Sequence, residues 1–109
     1  MRVPVVTLHA IDDPRAYVEN ESAYRATFQK AGTLNLLLQL YTNQGGHCSF
    51  GTESVAAFDA LMRFIETRSP PPIETVVSDC EARRGVIGGA CRFNASYQPA
   101  TLATRVYLR

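Results

Sequence analysis

The sequence predicts an α/β fold: two strands alternate with two helices in the order β-α-β-α, pair in parallel, and are followed by a tail. Three observations carry this. Two short, nearly continuous apolar runs, residues 3–9 and 35–41, are each followed by a polar turn and then by a segment with helical spacing. Continuous apolarity, rather than strict alternation, is what strands covered on both faces show, and parallel sheets are built that way. The connection between the runs is long enough for the right-handed helical crossover that parallel pairing requires. Residues 1–72 make up this unit, and 73–109 are expected to wrap around it as an irregular tail.

The first strand is carried by Val3, Val5, Val6 and Leu8, with Pro4 near its start, where a missing donor is tolerated. Asp12-Asp13-Pro14 is turn chemistry, because Pro14 biases Asp13 away from helical geometry. Over 18–31 the pattern turns helical: Asn20 is a candidate N-cap, and Glu19 and Glu21 suit the positive end of the helix dipole. Tyr24, Phe28 and Ala31 fall on one face, and Gly32 is placed to stop the helix. Leu36, Leu37, Leu38 and Leu40 supply the second strand. The second helix is expected over 53–67 with Thr52 as N-cap. Its stripe of Val55, Phe58, Leu61, Met62 and Ile65 is expected to pack on the sheet, and Ser69-Pro70-Pro71-Pro72 ends it. Residues 73–79 fit either strand or helix, Gly85, Gly88 and Gly89 predict a loop, and 92–97 alternates weakly, as an extended segment would.

At 109 residues the chain is one domain at most, and 46% apolar against 19% charged residues is ordinary globular composition. A net charge of +1 with acids and bases interspersed offers no basic stripe for nucleic acid. No apolar run approaches the ~20 residues that cross a bilayer. The start of the chain runs straight into the first strand without the architecture of a signal peptide, so an export signal is not expected here. The three cysteines match no zinc pattern. Either all are reduced thiols, or Cys80 and Cys91 form a bridge and Cys48 is left over.

Two parallel strands do not make a stable sheet alone, since both edges stay open. The unit therefore reads as one end of a larger α/β sheet. The remainder would come from further sequence, a second chain, or another copy.

The chemistry concentrates at one edge. Asp12 and Asp13 follow the first strand and His47 follows the second, and in a parallel sheet both loops emerge on the same side. An aspartate that orients an imidazole is two-thirds of a nucleophilic triad. The segments Val5-Val6-Thr7-Leu8-His9-Ala10-Ile11-Asp12-Asp13-Pro14 and Gln39-Leu40-Tyr41-Thr42-Asn43-Gln44-Gly45-Gly46-His47-Cys48-Ser49-Phe50 resemble the C-terminal part of a bacterial α/β-hydrolase of the serine-esterase type. In that family the aspartate before a proline is the triad acid, and a Gly-His-Cys-Ser/Thr-Phe turn carries the triad histidine. The acid-then-histidine order is also the family's order after its nucleophile. The resemblance covers residues 3–68 and, more loosely, 92–99. It implies that Asp13 is the acid, that His47 is the general base, and that the complete enzyme hydrolyses a small-molecule carboxylic ester without a cofactor or metal. Asp12 stands where relatives are expected to carry glycine.

One departure governs the mechanism. No Gly-x-Ser-x-Gly elbow is present, and Ser22, Ser49, Ser54, Ser69, Ser78 and Ser96 all lie outside such a turn. The chain thus resembles the last third of a hydrolase, beginning at an internal methionine, and is expected to be inactive alone. In tannase- and feruloyl-esterase-like hydrolases a cysteine beside the histidine is bridged to one beside the nucleophile. His47-Cys48 resembles half of that arrangement, which hints at an exported parent; the alternative for Cys48 is a small buried hydrophobe near the turn. Cys48 as a thiol nucleophile is disfavoured, because adjacent side chains at a turn usually point apart. His9 is expected to bond backbone at the strand end rather than to join Asp12, Asp13 and His47 around a metal. The competing readings are a non-catalytic interaction module, which pairs its open strand edge with another protein, and a small homodimer.

Overall fold

The structure, a computed structural model, describes residues 2–44 and 46–106, with only the backbone of Arg105 and Val106; Gly45 of the histidine turn and residues 107–109 of the tail lie outside the described residues. The elements run β1 (Val5–Ala10), α1 (Asn20–Lys30), β2 (Leu37–Thr42), α2 (Thr52–Thr67), α3 (Ile73–Ile87) and a single last turn, α4 (Ala103–Val106). A 3-10 turn at Leu34–Leu36 leads into β2. β1 and β2 pair in parallel with Val5 opposite Leu37 and Ala10 opposite Thr42, and helices cover both faces. The α/β class and the order of the first four elements are as the sequence predicts.

Each helix ends for a local reason. At the end of α1 the amide of Thr33 donates to the Phe28 carbonyl and that of Gly32 to Gln29, while Gly32 sits at φ +74°. This double closure needs a left-handed residue, which glycine supplies without strain. Thr52 does not cap α2. It is the first helical residue, and its hydroxyl donates to the carbonyl of Gly88, which fastens the far end of α3 to the start of α2. Asn20 likewise lies inside its helix, after Glu19 at the cap position.

On one face of the sheet Leu40 forms the core with Ala56 and Ala60 of α2 and Val76 and Cys80 of α3, flanked by Val6, Leu8 and Leu38. On the other, Thr7 and Gln39 meet α1. The expected packing stripe of α2 needs correction. The helix buries Glu53, Ala56, Ala60 and Phe64, whereas Phe58, Met62 and Ile65 are 62%, 42% and 50% exposed. The inward face combines Ala56 and Ala60 with the large Phe64, and the more continuous apolar stripe is left outside. Met62 lines the groove between α2 and α3, which the Arg63–Asp79 and Arg83–Asp59 ion pairs hold together. Among the described residues β1 has a strand neighbour on one side only, so its other edge stays open.

The irregular tail also needs correction over its first part. Ile73–Ile87 is a helix, started after the extended Pro72. Its periodicity is weak because only Val76 and Cys80 are buried, while Val86 is 89% exposed. The helix is held by α2 and by a Cys80–Cys91 disulfide rather than by a broad apolar face of its own. Beyond it, residues 92–94 lie antiparallel beside the end of β2: the Asn43 amide donates to Arg92 and the Asn94 amide to Tyr41, with a bridge between Thr42 and Phe93. The disulfide closes a loop of sequence separation 11. Loop-closure entropy then predicts that a Cys80→Ala/Cys91→Ala variant loses about 3 kcal/mol, measurable as a lowered urea midpoint.

Candidate active site

The parallel register delivers two loops to one edge. β1 ends at Ala10, β2 at Thr42, and the Ile11 amide still donates to the Thr42 carbonyl at 2.8 Å. Asp13 then folds back: its Oδ1 accepts the amides of Arg15 at 2.8 Å and Ala16 at 3.0 Å, in an Asx turn set by the following proline. His47 arrives from β2, and its Nδ1 lies 2.9 Å from Asp13 Oδ2 and 3.2 Å from Oδ1. The carboxylate is only 6% exposed and the imidazole 41%.

Burial works against the Asp13 charge, yet the Ala16 and Arg15 amides and the His47 imidazole outweigh it and hold the carboxyl at about 2, below its ordinary 3.8. An ionised carboxylate can only accept. Nδ1 of His47 therefore carries a proton, and in the neutral ring this leaves the lone pair on Nε2, the tautomer a general base requires.

Asp12 is separated from Asp13 in function. Its Oδ1 accepts the Gly46 amide at 3.0 Å and so pins the histidine turn from the neighbouring loop. The rest of the turn is held from the tail. Arg92 donates to Glu53 through its backbone amide, Nε and Nη2, and Nη2 also donates to the Ser49 carbonyl at 3.1 Å. Glu53 is fully buried. The Glu53 carboxylate raises Arg92 above its ordinary value, so the guanidinium stays charged.

Cys48 is exposed and unbridged. Its Sγ lies 3.8 Å from His47 Nε2, so the neighbouring side chains turn toward each other rather than apart. The cause is local: Cys48 adopts φ +53°, a left-handed backbone that non-glycine residues seldom take. The thiol contacts the ring nitrogen that a nucleophile would address.

Behind Asp13 lies a polar cluster that sequence reasoning missed. His9 Nε2 donates to the Ala16 carbonyl at 2.8 Å, the backbone bond expected of it, and its Nδ1 also faces Glu21 Oε2 at 3.4 Å. Thr7 donates to Glu21 Oε1 at 2.6 Å, and Gln39 Nε2 donates to the Glu21 backbone and to Oε1. The signal was available: Thr7 and Gln39 are partners in the parallel register, and His9 is two residues on, so all three polar residues share the α1 face.

The chain matches no protein-family model, no curated protein and no solved structure. A functional reading therefore rests on the geometry. Among the described residues no group of three His, Cys, Asp or Glu is placed to hold a metal ion, and no helix is long and apolar enough to cross a membrane. A groove of about 580 Å³ between α1 and the tail is lined by Arg25, Gln39, Tyr41 and Tyr97 and contains neither Asp13 nor His47.

The charges predict a pH window for stability. The lowered Asp13 contributes fully above 3.8, and this contribution is lost as pH falls through about 2. Partial burial opposes the Glu21 charge, but bonds from His9, Thr7 and Gln39 lower it below 4.5; its contribution is complete above 4.5 and lost on acidification. Glu21 raises His9 above 6.5, so that contribution is complete below 6.5 and lost as pH rises through the raised value. Thermal melts should therefore peak between pH 4.5 and 6.5. In Asp13→Asn the fall between pH 3.8 and 2 should become shallower by up to one proton.

Proposed function

We propose that this chain is the acid- and histidine-bearing C-terminal part of an α/β-hydrolase of the serine-esterase type. His47 is the general base and Asp13 orients it; the serine nucleophile and oxyanion hole come from outside these 109 residues. The observation that carries the reading is the 2.9 Å bond from His47 Nδ1 to an ionised, nearly buried Asp13 at the C-terminal ends of adjacent parallel strands. That edge is where open α/β sheets place their chemistry. Three further features support it. The unpaired edge of β1 suits another strand of the same sheet, and the exposed Phe58, Met62 and Ile65 suit cover from the rest of a larger molecule. The free, exposed Cys48 beside His47 suits a bridge to a cysteine next to the nucleophile.

In the complete enzyme His47 Nε2 would take the serine proton as the hydroxyl attacks the ester carbonyl, and later give it to the leaving alcohol. Asp13 would stabilise the imidazolium formed between these steps. The same open edge favours a second reading, a homodimer or interaction module that completes the sheet with another chain.

The test is a p-nitrophenyl ester assay combined with size-exclusion chromatography. The chain alone should show no turnover. Joined to a portion bearing a Gly-x-Ser-x-Gly elbow, it should show turnover that His47→Ala abolishes. His47-independent turnover would refute the role of His47. A discrete dimer of the isolated chain, with no gain on joining, would select the second reading.

A further inference from the structure

We infer that His9 is a positioning residue for the Asp13–His47 pair: as an imidazolium donating from both ring nitrogens, it clamps the loop that presents Asp13 against Glu21 of α1. The inference rests on the functional reading only in giving that pair its purpose.

The geometry runs through one short chain of bonds. His9 Nε2 reaches the carbonyl of Ala16 at 2.8 Å, and the amide of the same Ala16 donates to Asp13 Oδ1 at 3.0 Å. Whatever holds the Ala16 residue therefore holds the turn in which Asp13 receives its donors. The other side of the ring faces Glu21 Oε2 at 3.4 Å, and Asp13 Oδ2 lies 3.8 Å from Nε2. Both ring nitrogens thus face acceptors. A neutral imidazole can donate from only one of them, whereas the cation satisfies both. The ring is 11% exposed and Glu21 13%, so water does not readily replace a lost bond. Glu21 is itself fixed by Thr7 and Gln39, one from each strand, which ties the clamp to the rigid part of the fold.

The charged and titratable groups around His9 come from three elements. Asp13 lies in the following loop, Glu21 on α1, and Tyr41 beside His9 in the register of β2. Burial and the Glu21 charge push Tyr41 up, so it stays neutral, and Arg25 on α1 acts on Tyr41 in the opposite sense. The two carboxylates favour the cation, and Glu21 raises His9 accordingly. Protonated His9 also places a positive charge next to the carboxylate that orients His47. A single histidine can therefore couple the turn's geometry and its charge to pH.

The chain has only two histidines, so both rings can be followed individually by nitrogen-detected NMR of the purified 109-residue protein. In the wild type at pH 6, His9 should show both ring nitrogens protonated. His47 in its neutral form should carry its proton on Nδ1. Glu21→Gln leaves His9 in place but removes its counter-charge. It should lower the His9 midpoint and erode the Nδ1–H preference of His47 at neutral pH. His9→Asn keeps a donor near the Nδ1 position only; it should erode that preference further and move the Asp13 carboxyl from about 2 toward 3.8. His9→Gln, whose amide nitrogen falls near the Nε2 position, should restore much of both. Asp13→Asn is the reference that must abolish the preference. If Glu21→Gln and His9→Asn leave His47 and Asp13 unchanged while Asp13→Asn has its effect, the turn holds itself and the positioning role is refuted, with the functional reading intact. If Asp13→Asn also has no effect, the Asp13–His47 bond is absent and both fall together.

Discussion

Replacing Arg92 with alanine is expected to cost about 3 kcal/mol of stability, the low end of the range for breaking a buried ion pair. Glu53 is fully buried in the first turn of α2, and three of its bonds come from Arg92. Without the guanidinium a carboxylate stays behind with its charge partner gone and little solvation in its place. The low end applies because the Arg92 side chain is 30% exposed, so the vacated space admits solvent from one side. The measurement is a urea denaturation series. Glu53→Gln is the informative companion, since it removes the charge that would be stranded and keeps an acceptor for Arg92. It should cost less than Arg92→Ala, and the double variant should be far from additive, as expected for directly bonded partners. An equal cost for both single variants would mean that packing rather than charge dominates. Arg92 also holds the Ser49 carbonyl, so the alanine variant should loosen the turn that carries His47.

The second large effect concerns chemistry. Under the proposed function, with the chain joined to a nucleophile-bearing portion, Asp13→Asn is expected to lower kcat by about 10⁴-fold with little change in KM. The side chain keeps its shape, so binding and backbone geometry persist. What changes is the proton inventory. An amide can turn its nitrogen toward His47, which favours the ring with its proton on Nε2, and a protonated Nε2 cannot accept from a serine. Steady-state kinetics of the two forms with one ester decide the matter. A loss confined to KM would assign Asp13 to substrate binding instead. Asp12→Asn should behave differently, because Asp12 touches the Gly46 amide and not the imidazole.

The legibility of each feature in the sequence depends on the physics of its signal. The parallel pair, its crossover helix and the meeting of Asp13 with His47 were legible, because strand runs, turn residues and a shared sheet edge are local or topological facts. Gly32 announced its stop for the same reason. The α2 face was misread because hydrophobic spacing marks which residues are apolar, and not which neighbour exists to cover them. Phe58, Met62 and Ile65 form the better stripe, but the core takes Ala56, Ala60 and Phe64 instead. α3 was missed because a disulfide and two interhelical ion pairs hold it where a broad apolar face usually would. The Glu53–Arg92 pair was illegible for a different reason, and of the His9–Glu21 pair only the strand side was marked, by the register of Thr7, His9 and Gln39. Partners far apart in sequence carry no periodic mark.

The strip of tail at 92–94 that lies along β2 makes the two borders of the sheet unequal. It occupies the Tyr41 carbonyl and the Asn43 amide, where β2 leads into the histidine turn, and the disulfide and Arg92 lock it there. Assembly is thereby given a direction: further strands can join at β1 and are turned away near the histidine. The tail thus acts as a local plug: an incoming strand meets an occupied border at the last residues of β2 and an unoccupied one along β1.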